Sequence, residues 1–203
     1  MSKHEELIER LTESLSGTLL SDHEKADLVS AILTGQPVLI VGPRGTSKEM
    51  IAARVLEIIG LDFVTVNCSA NLRREDLFGD VDPLVLRRYG YSDERSYISG
   101  MIQKADDGVL FLKDLDNMQH KIAEALADFM DDGIVTVGQR DMKVDLKIIA
   151  LATSFDVDER LLDRFQVVRI SYPENREEEK RFIASTSSSR TPIPDYIPEL
   201  ASR

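Results

Sequence analysis

Short apolar runs alternate with longer amphipathic stretches along most of this 203-residue chain. A continuous apolar run indicates a strand buried on both faces, because a strand with one wet face alternates apolar and polar positions. Such runs occupy residues 38–41, 63–66, 109–112, 147–151 and 166–170. Amphipathic segments between them predict crossover helices at residues 50–59 and 120–130. The pattern therefore predicts an α/β fold with a five-stranded parallel sheet in three layers.

Two predicted helices precede the first strand run. In the first helix, an apolar stripe is formed by Leu7, Ile8, Leu11 and Leu15. The second helix begins at Ser21, because Ser21 and Glu24 have the spacing of a capping box. Gly35 is expected to end it.

The later part of the chain predicts a hairpin and a change of composition. Residues 134–137 and 142–144 are predicted strands of an inserted β-hairpin around the turn 138–141. We expect residues 1–183 to form one α/β domain, with the helices of residues 1–34 packed on it and a last amphipathic helix at residues 174–183. Residues 184–203 are rich in Ser, Thr and Pro and are expected to be a tail or the start of a missing lid.

Composition narrows the classes of protein to which the chain can belong. The formal net charge of −11 counts against non-specific nucleic-acid binding, which depends on basic side chains that neutralise phosphates. The single Cys68 excludes an internal disulfide and favours a reducing cytoplasm, with the thiol packed and inert. No apolar run reaches the ~18 residues of a membrane helix. We therefore expect a cytoplasmic protein without a membrane segment.

Residues 42–49, GPRGTSKE, follow the first strand run and resemble a phosphate-binding loop of the pattern G-x-x-x-x-G-K-[ST]. Gly42 and Lys48 have the required spacing. Ser47 replaces the second glycine, a mild change because a small side chain can fit there. Glu49 replaces the hydroxyl that holds Mg²⁺, and this change is not mild. The predicted nucleotide-binding residues are Gly42, Pro43, Arg44, Gly45, Thr46, Ser47, Lys48 and Glu49.

The order of motifs resembles the core of an AAA+ ATPase, in the branch of MoxR proteins, magnesium chelatase ATPase subunits and MCM helicases. The resembling segments are the loop at residues 42–49, EDLFGD at 75–80, ADDGVLFLKDLD at 105–116, the sensor-like strand IIALATS at 148–154, LLDRF at 161–165 and SYP at 171–173. The resemblance implies ATP as a ligand, and self-association or other AAA+ subunits as partners. Only residues 184–203 follow the last predicted helix, so the family's helical lid is expected to be absent or truncated.

The resemblance also implies which residues take part in catalysis, namely Asp114, Ser154 (with Thr153 as the alternative sensor residue) and Arg164. In the family an aspartate that holds Mg²⁺ precedes a glutamate that orients water, and here these positions carry Lys113 and Asp114. A strand ending one residue later would make Asp114 the metal ligand and Asp116 a distant second acid. Arg164 resembles an arginine finger. Its alternative is a surface salt bridge to Asp163 or Asp158.

Two of these departures are complementary in charge. Glu49 and Lys113 stand at the two positions that face Mg²⁺ in the resembled enzymes. We hypothesise an ion pair between them, with the ammonium group near the place of the metal, which if buried would cost about 3–5 kcal/mol to break. In the alternative, each side chain points to solvent. The residues thus assign no metal ligand, make Mg²⁺ doubtful and predict weak ATP binding.

Three functions remain open from the sequence. The first is a degenerate AAA+ module with impaired or no ATP hydrolysis, acting as a non-catalytic or regulatory subunit of a remodelling-type or replicative-type assembly. The second is an active Mg²⁺-dependent ATPase that drives remodelling, metal insertion or DNA unwinding. The third is a monomeric interaction domain. Arg140 and Lys143 in the hairpin could contact DNA, but Asp141 and Asp145 beside them favour a solvated hairpin.

Overall fold

The computed structural model describes residues 3–15, 18 and 20–172. The helix predicted at residues 174–183 and the tail at 184–203 lie outside the described residues. All neighbouring strands of the main sheet are parallel, and their order is β2-β5-β8-β1-β9. The five strands are β1 Val38–Val41, β2 Phe63–Asn67, β5 Val109–Lys113, β8 Lys147–Ala152 and β9 Gln166–Arg169. The predicted five-stranded parallel sheet is therefore confirmed.

Helices and short strands complete the domain. The helices are α1 Lys3–Leu15, α2 Asp22–Thr34, α3 Lys48–Ile59, α4 Arg74–Phe78, α5 Pro83–Tyr89, α6 Met101–Lys104, α7 His120–Asp132 and α8 Glu159–Leu162. Two 3-10 turns span Glu94–Ser96 and Leu115–Asn117. Two small antiparallel pairs are β3 Asp80–Val81 with β4 Tyr97–Ile98, and β6 Ile134–Val137 with β7 Arg140–Lys143.

Apolar side chains of the sheet alternate between two cores. Leu39 and Leu110 face a core shared with α7 and the β6–β7 hairpin. Ile40 and Phe111 face the opposite core, shared with α1, α2 and α3. Successive strand residues point to opposite faces, so the continuous apolar runs fill both layers. The result is the predicted three-layer architecture.

The edge strand β2 departs from the prediction of burial on both faces. Phe63 is 53% exposed and Val66 is buried. β2 pairs only with β5 in the main sheet, so its outer side receives less cover. Its apolar run alone does not distinguish an edge strand from a central one.

The first helix also departs from its predicted stripe. Leu11 and Leu15 are fully buried, but Ile8 is 40% exposed, so the predicted apolar stripe is only partly buried. Ile8 instead lines an open apolar groove beside α2, together with Val29. The side chain of Leu7 lies outside the described residues.

The predicted capping box of α2 is confirmed. The Ser21 N–H donates to Glu24 Oε2 at 2.7 Å, and the Glu24 N–H donates to Ser21 Oγ. Gly35, at φ 70°, ends the helix. The second oxygen of Glu24 accepts from the N–H and hydroxyl of Ser171 at 2.8 and 3.1 Å. One carboxylate therefore fixes both the start of α2 and the chain leaving β9.

The region between α4 and α6 forms a compact insert that the sequence analysis did not predict. Two glycines allow its backbones to approach closely. A Cβ on Gly79 would lie 2.5 Å from the Ile98 carbonyl oxygen, and one on Gly100 would lie 2.3 Å from the Gly79 nitrogen. Asp82 caps α5 by accepting from the N–H groups of Leu84 and Val85. The insert is thus anchored at its base, and none of the residues of α5 is buried.

The hairpin is tighter than predicted. β7 begins at Arg140 rather than at residue 142, because only Gly138 and Gln139 separate the strands and Gly138 adopts a left-handed φ of 61°. Arg140 contacts the insert, since its guanidinium lies 3.2 Å from Glu94 Oε1 and 5.4 Å from the Tyr97 ring centre. This arginine is therefore already engaged within the chain.

Cys68 is a free, buried thiol, and its burial raises its pKa to about 12, which confirms the predicted packed cysteine. No helix among the described residues combines the length and apolar character that crossing a membrane requires.

The hydrogen bonds of Glu24 with Ser21 and Ser171, here called the Glu24 clasp, predict that stability depends on pH. Partial burial raises the pKa of Glu24, but hydrogen bonds from Ser171 and Ser21 outweigh this effect and hold the pKa below its usual range. Glu24→Gln is expected to lower the free energy of unfolding by about 1 kcal/mol at neutral pH, because one amide oxygen cannot serve both serines. Chemical denaturation between pH 7 and pH 3 measures this difference.

The direction in which stability changes with pH follows from the lowered pKa of Glu24 in the folded state. The stabilisation by Glu24 is complete above the pKa of the unfolded chain and is lost as pH falls through the folded-state pKa. The difference between wild type and variant should therefore narrow in acid. Glu57→Gln, an exposed change on α3, is the matched control. A difference that stays constant with pH would contradict the role of the carboxylate charge.

Candidate functional site

The predicted phosphate-binding loop connects β1 to α3 at the carboxyl edge of the sheet. The Gly42 N–H donates to the Ala152 carbonyl oxygen at 3.2 Å, and a Cβ on Gly42 would lie 2.5 Å from the Ile170 carbonyl oxygen. Gly45 has a φ of 88°, which glycine adopts without strain. Thr46 is buried, and its hydroxyl donates to the Pro43 carbonyl oxygen at 2.9 Å. The loop thus has a built conformation that ends at the first turn of α3.

Ser47 adopts a left-handed backbone conformation, with φ 57° and ψ 27°. The substitution of the motif's second glycine is therefore not mild, because its cost lies in the backbone rather than in the space for a side chain. Ser47 also precedes α3 without capping it through its side chain. A side chain that was merely too large for the loop would not require a left-handed backbone conformation at this position.

Lys48 is buried, and its ammonium group donates to the carbonyl oxygens of Gly42 and Pro43, the latter at 2.8 Å. The predicted phosphate-binding lysine is thus folded onto its own loop. Burial lowers the pKa of Lys48, and nearby carboxylates, Asp116 first and then Asp114, oppose the shift. Contact with a phosphate would replace the two carbonyl contacts.

The predicted ion pair between Glu49 and Lys113 is confirmed. Lys113 Nζ lies 2.7 Å from Glu49 Oε2. β5 extends one residue beyond its predicted end, so that Lys113 still pairs with Asn67 at the sheet edge. The side chains are 23% exposed for Lys113 and 68% exposed for Glu49, so the expectation for a buried pair does not apply. An exposed pair of this kind contributes below about 1 kcal/mol to folding.

The acidic residues that follow β5 occupy distinct places. Asp114 is exposed and has a left-handed φ of 55°. Asp116 lies in the 3-10 turn after it and bonds to the end of β8. Asp116 Oδ2 accepts from the Thr153 N–H at 3.1 Å, from the Thr153 hydroxyl and from the Ser154 hydroxyl at 3.4 Å. The sequence analysis treated Asp116 only as a distant second acid.

A cavity of about 440 Å³ unites most of the predicted site. It is bounded by Lys48 and other loop residues, the Glu49–Lys113 pair, Asp114 and Thr153. Among the described residues, Ser154 and Arg164 are not part of this lining. Between the two sensor candidates, the structure therefore places Thr153 at the cavity, while the Ser154 hydroxyl accepts from the Asp156 N–H.

A Mg²⁺ ion does not fit the donor set at this cavity. The carboxylates of Glu49 and Asp114 line the cavity. The Lys113 ammonium already pairs with Glu49 and would repel a second cation. Asp114, the ligand expected for a strand that ends at residue 113, would therefore have to hold the ion without Glu49. Magnesium at a nucleotide site takes one or two protein oxygens, and waters and phosphate oxygens complete its near-octahedral shell. Within residues 3–15, 18 and 20–172, no three carboxylate, imidazole or thiol groups converge to hold a metal ion. The backbone and Lys48 do suit phosphate oxygens.

Arg164 lies just after α8 and forms a salt bridge that the sequence analysis missed. Its Nε donates to Asp131 Oδ1 at 2.7 Å, and its Nη2 contacts the other oxygen of Asp131. The predicted alternative partners, Asp163 and Asp158, are wrong. Asp158 contacts His120 instead and caps α8. Asp131 is in the last turn of α7, where a basic group offsets the negative end of the helix.

The strained Ser47 gives a direct test of the loop conformation. Ser47→Gly should raise the free energy of unfolding by about 0.5–1 kcal/mol, because glycine adopts the left-handed conformation without the side-chain clash. Thermal unfolding and denaturant titration measure the change. Ser30→Gly within α2 is the opposite control and should destabilise by a similar amount. Destabilisation by Ser47→Gly would show that the loop is not left-handed at this position.

Known proteins resemble this chain in sequence. A protein called Psp operon transcriptional activator from Escherichia coli (strain K12) is 29% identical over 161 residues, which cover 71% of this chain and 47% of that protein. The acetoin dehydrogenase operon transcriptional activator AcoR from Bacillus subtilis (strain 168) is 31% identical over 169 residues, covering 74% of this chain and 27% of that one. The chain thus spans about half or less of the length of these relatives.

Solved structures show the same fold. NtrX from Brucella abortus in complex with ADP matches 99% of this chain and 42% of its own length, with a TM-score of 0.58 and 19% identity. The MoxR, magnesium chelatase and MCM branch that the motifs resemble is not supported by these comparisons. Residues 21–169 match the family described as the Sigma-54 interaction domain. This chain therefore belongs to the Sigma-54 interaction domain family and has the AAA+ P-loop ATPase fold.

Proposed function

We propose that this chain is a regulatory AAA+ module of the sigma-54 interaction type, which binds a nucleotide weakly without Mg²⁺ and hydrolyses it slowly or not at all. The observation that carries the proposal is the 2.7 Å contact between Lys113 Nζ and Glu49 Oε2. A fixed ammonium group supplies positive charge at the cavity where a metal ion would otherwise be needed. Glu49 is neutralised by the same contact, so it repels phosphate less.

The rest of the phosphate site supports nucleotide binding. Backbone N–H groups at the start of α3 and the helix dipole favour an anion. Lys48 and Lys113 both line the cavity and add two positive charges. In the bound state Lys48 would leave the carbonyl oxygens of Gly42 and Pro43 for phosphate oxygens. The need to break these contacts is consistent with weak affinity.

Slow hydrolysis follows from the placement of the two candidate catalytic groups, Asp114 and Arg164. Asp114 matches the water-orienting glutamate of the resembled pattern, but it is one methylene shorter and adopts a left-handed backbone conformation. An error of about 1 Å in placing such a group is enough to reduce a rate about a hundredfold. Arg164 would act on a neighbouring subunit only after it leaves Asp131.

The names of the relatives suggest the setting. Two of them are called transcriptional activators, and the matching family is described by its interaction with sigma-54. We therefore place the proposed module in the cytoplasm, in self-association or with other AAA+ subunits, as a non-catalytic regulator of sigma-54-dependent transcription. The motifs alone also suggested a remodelling-type or replicative-type assembly.

In the proposed module, sigma-54 would bind to an exposed apolar surface on the insert between α4 and α6. Leu84 on α5 is 80% exposed, and Tyr91 and Ile98 are 43% and 52% exposed. Large exposed apolar side chains that project from an anchored base are typical of a protein contact. The surface is distinct from the nucleotide cavity, so the two activities can be tested separately.

Calorimetric titration with ATP and ADP, each in Mg²⁺ and in chelator, tests the nucleotide proposal. We expect saturable binding with the same affinity in both conditions. Lys113→Ala should weaken binding about tenfold or more, because it removes a charged contact of the size expected for a phosphate. Lys143→Ala on the exposed face of β7 is the matched control and should have no effect.

Other results would favour other functions. Affinity that rises with Mg²⁺, together with turnover abolished by Lys48→Ala, would establish an active ATPase and overturn the proposal. No binding at millimolar nucleotide would show that the loop no longer binds phosphate. Light scattering that gives a monomer with and without nucleotide would favour an independent interaction domain. Leu84→Asp should abolish capture of purified sigma-54 without changing nucleotide affinity.

A further inference from the structure

The hydrogen bonds of Asp116 control which groups at the cavity can donate a proton. A hydroxyl has one proton to donate and two lone pairs that accept. The Thr153 hydroxyl gives its proton to Asp116 Oδ2, which also accepts from the Thr153 N–H at 3.1 Å. Only the lone pairs of the Thr153 hydroxyl are therefore available to the cavity.

Ser154 does not supply the missing donor. Its hydroxyl donates to the same oxygen of Asp116 at 3.4 Å and accepts from the Asp156 N–H at 3.2 Å. Both hydroxyls at the end of β8 are thus committed to one carboxylate. Neither can donate to a phosphate oxygen while both hydroxyls keep these bonds to Asp116.

The negative charge of Asp116, like the lack of a hydroxyl donor, disfavours an additional phosphate at the cavity. Among the carboxylates that raise the pKa of Lys48, Asp116 has the largest effect. Its other oxygen, Oδ1, is buried and has no hydrogen-bond partner within the described part of the chain. The Asp116 carboxylate therefore acts electrostatically on the lysine that reaches the outer phosphates in such loops.

The position of Thr153 determines which phosphate is affected. The loop and the start of α3 bound one side of the cavity, and Thr153 bounds another. Loop amides hold the inner phosphates, and a third phosphate extends away from them toward the rest of the cavity. There it would meet lone pairs at Thr153 and the negative charge of Asp116 instead of a donor.

We propose that Asp116 is a specificity-determining residue, which makes the site prefer a nucleoside diphosphate to the triphosphate by holding the Thr153 proton. The inference rests on the proposed nucleotide-binding function and deepens it. It predicts that the module does not favour the triphosphate-bound state.

Asp116→Asn provides the first test. The asparagine oxygen can still accept from the Thr153 N–H, as Asp116 Oδ2 does. Because it is neutral, it holds the Thr153 hydroxyl proton less strongly than a carboxylate does, so the hydroxyl can turn that proton toward a phosphate oxygen. In chelator, ATP affinity should rise about tenfold, the size of one hydrogen bond to a charged group, and ADP affinity should change less. Asp106→Asn is the matched control, because Asp106 Oδ1 also accepts a distant backbone N–H, that of Asp145, at 2.9 Å.

Thr153→Val separates the hydroxyl proton from the charge of Asp116. In the wild-type background this change should leave ATP affinity nearly unaltered, because the hydroxyl donates nothing to the nucleotide. In the Asp116→Asn background it should remove the gain in ATP affinity. A gain that persists in the double variant would assign the effect to charge alone and overturn the proposal. A large loss of ATP affinity from Thr153→Val alone would also overturn it.

The outcomes distinguish this inference from the function on which it rests. If wild type binds ADP but Asp116→Asn leaves the ATP-to-ADP preference unchanged, only the inference fails. If neither nucleotide binds to either protein, the proposed function fails and the inference fails with it. Melting temperatures report whether each variant folds. If Asp116→Asn does not fold, the wild-type titrations decide the question, because an ATP affinity equal to or above the ADP affinity in chelator would overturn the inference.

Discussion

The close packing of β1 between β8 and β9 fixes the whole nucleotide site. Val41 pairs with Ala152 on one side and with Arg169 on the other. The next residue, Gly42, has no room for a side chain against the Ile170 carbonyl oxygen. Because the loop begins at this point, the parallel register decides which residues of the neighbouring strands face it. Thr153, which follows β8, meets the start of α3 through this register, and Lys113 joins them through the pairing of β5 with β8.

The sequence was sufficient for the main sheet and for one contact at the site. The five strands were predictable because each is a continuous apolar run, and a buried parallel strand requires such a run. The Glu49–Lys113 pair was predictable because two resembled motifs place their side chains on the same ion. The burial of that pair was not predictable, since it depends on how far neighbouring loops cover the edge of the sheet.

Features that depend on distant backbone positions could not be predicted in the same way. The pairing of Arg164 with Asp131 joins a residue just after α8 to one on α7, and the two have no fixed spacing in the sequence. The insert depends on close contacts at Gly79 and Gly100, which a single sequence does not distinguish from flexible turns. Its helix α5 did carry a local signal, because Asp82 precedes Pro83 in the order typical of a helix start.

The clasp around Glu24 has a consequence for a longer polypeptide. Ser21, where the family-matching region begins, and Ser171, just beyond its end, both bond to this one carboxylate. A domain whose entrance and exit adjoin can be accommodated as an insertion without separating the sequences that flank it. The next residue, Tyr172, donates from its hydroxyl to the Arg44 carbonyl oxygen at 2.7 Å. Tension on the chain beyond Tyr172 would therefore be transmitted through these two contacts to both α2 and the phosphate-binding loop.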